Sequence, residues 1–194
     1  MNIKTYIKDS IDTKTKILND ETIIETIKKI TDRIVEAYRL DKKVLTAGNG
    51  GSAGDAQHIA GELVSKFSFD RPGLTAFSLT TDTSVLTAIG NDCCYEKIFS
   101  RQIEANAKEG DVFIGISTSG NSKNIIFALE EARKKGVITV GFTGQKECDM
   151  DSLCDYIIHV PSNSTPIIQE SHIMIGHIIC GLVESTMFSN LNKE

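Results

Sequence analysis

Five short runs of apolar and small residues mark the chain between Lys43 and Val160: KVLTAG from Lys43, LTAFSL from Leu74, DVFIGIS from Asp111, VITVGFT from Val137 and YIIHV from Tyr156. Most are separated by ten or more residues of helical patterning, too many for a hairpin and enough for a helical crossover. Apolar strands joined by helices build parallel sheets covered on both faces, with right-handed crossovers. The expected fold is α/β, a three-layer α/β/α sandwich around a five-stranded parallel sheet. Ligands of such sheets sit beyond the carboxyl ends of the strands.

Helical segments flank this core. From residue 1 to about residue 41, Ile11, Ile17, Leu18, Ile23, Ile24, Ile27, Ile30 and Ile34 recur among charged residues at the spacing of two amphipathic helices, which pack on the core or on a neighbouring subunit. A long last helix starts near Pro166 and runs toward Phe188. Its Ile167, Ile168, Ile173, Ile175, Ile178, Ile179, Leu182 and Val183 form an apolar surface wide enough to suggest an oligomer interface. With three prolines and no linker or repeat, the 194 residues read as a single domain, 1–194.

Charge and cysteine usage narrow the function. A net charge of -5 argues against a phosphate-backbone binder, which needs clustered Lys and Arg, so no nucleic acid is expected. The five cysteines form no CxxC pair, so neither a disulfide framework nor a cysteine zinc knuckle is implied. The N-terminus lacks the apolar core of a signal peptide and no stretch approaches membrane-spanning length, so the expected location is the cytoplasm, with no membrane partner.

Two strand-to-helix turns carry anion-binding chemistry. After the third run, GISTSGNSKNIIFALEEARKKG places Ser117, Thr118, Ser119, Gly120 and Ser122 before an amphipathic helix. Glycine permits close backbone approach, the hydroxyls donate hydrogen bonds, and the helix start offers free N–H groups with a favourable dipole. After the first run, Asn49, Gly50, Gly51 and Ser52 make a second such turn. Its glycines, at 48, 50, 51 and 54, do not have dinucleotide spacing, and neither turn ends in GK[ST]. Each turn alone reads equally well as an ordinary helix cap. Together they favour a phosphate ligand.

Longer stretches carry a family resemblance: AGNGGSAGDAQHIAGEL at 47–63, FDRPGL at 69–74, GNDCCYEKIFSRQIEA at 90–105, GISTSGNSKNI at 115–125 and TPIIQESHIMIGHIICGLVE at 165–184. Over essentially its whole length the chain resembles the sugar isomerase (SIS) domain family, in its phosphoheptose isomerase branch. The resemblance implies interconversion of sedoheptulose 7-phosphate and D-glycero-D-manno-heptose 7-phosphate, toward the heptose of bacterial lipopolysaccharide or capsule. It also implies a homotetramer with sites between subunits, and one zinc ion per subunit on His58, Glu62, Gln169 and His177. Phosphate binding carries over onto Ser52, Ser117, Thr118, Ser119 and Ser122, and a further active-site position onto Asp92. Two positions depart from the family pattern: Lys66 stands where relatives often have Arg, and Pro166 where some have Asp. Other SIS sugar-phosphate isomerases or sensors, and non-catalytic relatives that bind a replication initiator, remain alternatives. The non-catalytic relatives lack residues corresponding to Glu62 and His177.

The residues bear on the chemistry directly. Moving a carbonyl between C1 and C2 needs a base, an acid and stabilisation of an enediolate. Glu62 suits the base, and His177 the acid/base partner near neutral pH. His58 and Glu62, four residues apart on a helix, can face one ion, although such a pair is also common on helix surfaces. Gln169 and His177 are eight residues apart, about 12 Å of helix at about 1.5 Å per residue. Either an ion lies between them or neighbouring subunits each contribute one. His159 reads as packed or on the sheet surface rather than as a ligand, and His172 stays open. Cys93 and Cys94 read as small hydrophobes, and Glu130 to Lys135 as a solvated helix face.

Overall fold

A computed structural model describes residues 2–191. Two amphipathic helices, α1 (Ile3–Leu18) and α2 (Glu21–Arg39), precede β1 (Val44–Gly48), α3 (Gly51–Val64) and β2 (Ala76–Ser78). Then come α4 (Thr83–Asp92), α5 (Ser100–Asn106), β3 (Val112–Ile116), α6 (Lys123–Lys134), β4 (Ile138–Gly144), β5 (Tyr156–Val160) and α7 (Thr165–Met187). Asn2 and Asp20 cap α1 and α2 by accepting backbone N–H bonds, which fixes where each helix begins. All five apolar runs are strands and every pairing is parallel, in the order β2-β1-β3-β4-β5. The expected architecture is present. The β4–β5 crossover holds only a 3-10 turn, Asp149–Ser152.

Alternate residues of the central strands feed two cores. Val44, Val112, Ile114, Val140 and Phe142 pack with α2, α3 and α7, while Leu45, Ala47, Phe113 and residues of α5 and α6 fill the opposite side. β1 and β3 are buried at every position, as central parallel strands must be. α7 corrects one expectation. At 23 residues it is long and apolar enough to cross a membrane, yet half of its most apolar window is buried inside the fold. Ile167, Ile168, Ile175, Ile179 and Val183 face the chain's own core, leaving Ile178 and Leu182 as its exposed large apolar residues.

One buried residue of α7 links the fold to pH. His172 is fully buried, its Nε2 lies 3.1 Å from the Thr143 carbonyl, and its Nδ1 has no partner. Burial, opposed by that hydrogen bond, lowers its pKa to about 4. An unfolded histidine titrates near 6.5, so between about pH 6.5 and 4 the unfolded chain binds a proton that the native state refuses. This stability is present above about pH 6.5 and is lost as pH falls, by on the order of 3 kcal/mol near pH 4. Urea unfolding across that range should show the slope in the wild type and not in His172→Gln. An identical slope in the variant would contradict the assignment.

Candidate active site

The strand order reverses between β1 and β3, so the turns after these two strands lie side by side at the carboxyl edge of the sheet. This is where doubly wound sheets bind ligands. The first turn runs through Gly50, at φ +55°, into α3, with Ser52 almost fully buried in the helix's first turn. In the second, the Ser117 hydroxyl lies 2.9 Å from that of Ser122 and 3.4 Å from that of Ser119. Ser122 occupies the N-cap of α6 without capping a backbone N–H, so the helix start keeps its free donors beside three hydroxyls. Thr118 and Ser119 also line a cavity of about 310 Å³ with Asn121, Lys146 and the start of α7.

A side-chain clasp joins the two turns. Asn49 Nδ2 donates to Asn124 Oδ1 at 2.9 Å, and Asn124 Nδ2 donates back to Asn49 Oδ1 at 2.8 Å. The Tyr95 hydroxyl donates to Asn49 Oδ1 at 2.9 Å, tethering the segment just after Asp92. Asp92 itself ends α4, exposed, and accepts a bond from Asn91. Asn124 and Tyr95 escaped the sequence reading, although both lie within the stretches that carry the family resemblance.

A second cluster forms where α3 packs against α7. His58 Nε2 lies 3.0 Å from Glu62 Oε1 and 3.0 Å from His177 Nε2. Ligand atoms of these three residues all fall within 4.8 Å of one another. Two imidazole nitrogens facing each other beside a carboxylate cannot all be satisfied by their own protons, and two N donors with one O donor suit zinc. The donor set therefore fits the expected ion. One turn before His58, the Asp55 carboxyl has a buried Oδ2 without a partner. Its desolvation raises the pKa to about 6, against the opposing charge of His58.

Gln169 is not in this cluster. Its amide packs on Gly51, where an added Cβ would stand 2.6 Å from Nε2. Gly51 precedes His58 by seven residues, about 10 Å of helix. An ion midway between Gln169 and His177 of one chain is thus not favoured. Lys66 is exposed, and Pro166 occupies the first turn of α7. His159 is engaged elsewhere, Nδ1 with the Gly144 carbonyl and Nε2 with Asp151, both at 3.0 Å. His172 faces β4 and is excluded from the cluster. Cys93 is exposed rather than packed.

The site thus couples a hydroxyl-lined anion cradle at a strand-order reversal to a His-Glu-His cluster, the makings of a sugar-phosphate isomerase. The SIS domain family matches residues 5–144, and the chain belongs to that family. A phosphoheptose isomerase of Aneurinibacillus thermoaerophilus is 61% identical over 188 residues, covering 97% of this chain and 95% of that protein. The structure of a phosphoheptose isomerase from Francisella tularensis superposes with a TM-score of 0.91 at 33% identity, covering 94% of this chain and 96% of that one. That of Neisseria gonorrhoeae gives 0.88 at 36%, covering 94% and 97%. Within the SIS family the chain is an isomerase of the phosphoheptose isomerase branch.

Proposed function

We propose that the enzyme interconverts sedoheptulose 7-phosphate and D-glycero-D-manno-heptose 7-phosphate in the cytoplasm, toward the heptose of lipopolysaccharide or capsule. The observation that carries this reading is the convergence of Glu62 and His177 in a fold that also holds a phosphate cradle. Ser52, Ser117, Thr118, Ser119 and Ser122 hold the phosphate, with the Asn49–Gly51 turn beside them. Glu62 removes the C1 proton of the ketose while His177 protonates the C2 oxygen. Return of the carbon-bound proton to C2 and loss of the O1 proton to His177 give the aldose, so both groups end as they began. Zinc, one ion per subunit on His58, Glu62, Gln169 and His177, would supply positive charge that polarises the carbonyl and stabilises the enediolate.

Gln169 and the spacing along α3 support a site shared between subunits of a homotetramer. Gly51, where Gln169 packs, and Glu62 are eleven residues apart, about 16 Å of helix axis. A second copy that places its Gln169 and its cradle opposite the first copy's Glu62 brings both ends of one substrate within reach. Exposed Ile3, Ile7, Ile11 and Leu18 on α1 and Ile178 and Leu182 on α7 supply apolar surface for such contacts.

Comparing turnover of sedoheptulose 7-phosphate with that of fructose 6-phosphate tests the substrate. The heptulose should be preferred by at least about 100-fold in kcat/KM, on the order of 3 kcal/mol of transition-state discrimination. Equal or better turnover of the hexose would favour a different sugar-phosphate isomerase.

A further inference from the structure

Neither Arg71 nor Glu184 enters the chemistry above, yet they form an ion pair whose side chains are each 1% exposed, Arg71 Nε to Glu184 Oε2 at 3.0 Å. Isolated burial of two charges is costly, and such a pair persists only when the remaining donors and acceptors are also satisfied. Here they are satisfied by the backbone that carries the His-Glu-His cluster. One Arg71 terminal nitrogen donates to the carbonyl of Glu62 itself at 2.8 Å, and the other to the carbonyl of Leu63 at 2.7 Å. The guanidinium thus caps the end of α3, where helix carbonyls lack internal partners.

The carboxylate does the same for the segment that follows. Glu184 accepts from the backbone N–H of Phe67 at 2.7 Å and of Ser68 at 2.6 Å. This fixes Phe67 so that its ring lies 5.8 Å from the His177 ring, tilted by 45°, with Gly181 leaving room beside it. His177 sits seven residues before Glu184 on α7. One ion pair therefore grips the backbone of Glu62, the ring that packs on His177, and the helix that carries His177.

We propose that Arg71 and Glu184 are positioning residues that set the distance and orientation between Glu62 and His177, with Phe67 transmitting the constraint to the imidazole. The inference rests on the assignment of Glu62 and His177 as the acid–base pair. Groups that orient first-contact ligands and acid–base residues typically control activity by about 10- to 100-fold.

Arg71→Lys keeps a cation for Glu184 but loses the fork that reaches Glu62 and Leu63. Its kcat on sedoheptulose 7-phosphate should fall by about 30-fold, with KM and the affinity for inorganic phosphate within about twofold of wild type. Phe67→Ala, at a partly exposed position that leaves the ion pair intact, should lower kcat by about tenfold with little change in Tm. Imidazole NMR of the metal-free protein reads the geometry without turnover. In Arg71→Lys the cross-peaks of His58 and His177 should move while those of His159 and His172 stay. A wild type inert toward heptulose phosphate would sink the proposed function, and these cross-peaks would still decide the clamp. Unmoved His58 and His177 cross-peaks with kcat within twofold of wild type, even at lower Tm, would reduce the pair to a purely structural role. Should Arg71→Lys fail to fold, an undiminished kcat in Phe67→Ala overturns the proposal alone.

Discussion

Replacing Glu62 with Gln should lower isomerisation by about 10³-fold or more while leaving phosphate binding intact, because it removes the general base and exchanges a carboxylate in the His-Glu-His cluster for a neutral amide. Glutamine has the size of glutamate and retains an oxygen to face His58, now 3.0 Å from Oε1. The Arg71 bond to residue 62 is made by the backbone carbonyl and survives the change. What is lost is the capacity to accept a proton from carbon. Exchange of the substrate's C1 or C2 hydrogen with deuterated solvent, followed by NMR, reads that step directly, and calorimetry with inorganic phosphate checks the cradle. Normal exchange in the variant would remove Glu62 from the role of base.

The second large effect is expected at Gly120→Ala. Gly120 holds φ at +67°, a conformation that costs an L-residue roughly 1–2 kcal/mol. An added Cβ would stand 2.1 Å from Cys148 Sγ and 2.8 Å from Thr143 Oγ1, so the turn cannot keep its place. Its displacement moves Ser117, whose carbonyl accepts from the Gly120 N–H at 3.0 Å, and with it the hydroxyl cradle. KM for the sugar phosphate should rise by about 30-fold or more, about 2 kcal/mol of lost binding, with a smaller change in kcat. Adding Cys148→Gly removes the sulfur contact and should recover part of the loss. An unchanged KM in Gly120→Ala would mean that the phosphate is held elsewhere.

The sequence reveals what short-range periodicity encodes and little of what tertiary packing decides. Alternation of apolar runs and helical stretches located all five strands. His58 and Glu62 were legible as an i,i+4 pair. That His177, 119 residues beyond His58, completes their cluster depends on how α7 lies on α3, and no spacing encodes it. The Asn49–Asn124 clasp spans 75 residues, and Arg71–Glu184 spans 113. Each is a polar residue whose meaning appears only with its distant partner. The apolar breadth of α7 shows the opposite limit. A helix buried by its own sheet and a helix buried by another subunit or a membrane carry the same composition, and only packing separates them.

Lys66 and Pro166 depart from the family pattern at positions outside the His-Glu-His cluster. Lys66 is an exposed point charge without a bidentate fork, and Pro166 offers no side-chain hydrogen bond at the start of α7. Neither touches the His-Glu-His cluster through a hydrogen bond or ion pair among the described residues.

The most direct measurement is conversion of sedoheptulose 7-phosphate by the purified protein as prepared, after chelation, and after zinc is restored. Turnover to the aldose, its loss with the chelator and its return with zinc are the expected results. Folded, zinc-loaded protein that leaves sedoheptulose 7-phosphate unchanged would contradict the proposed function.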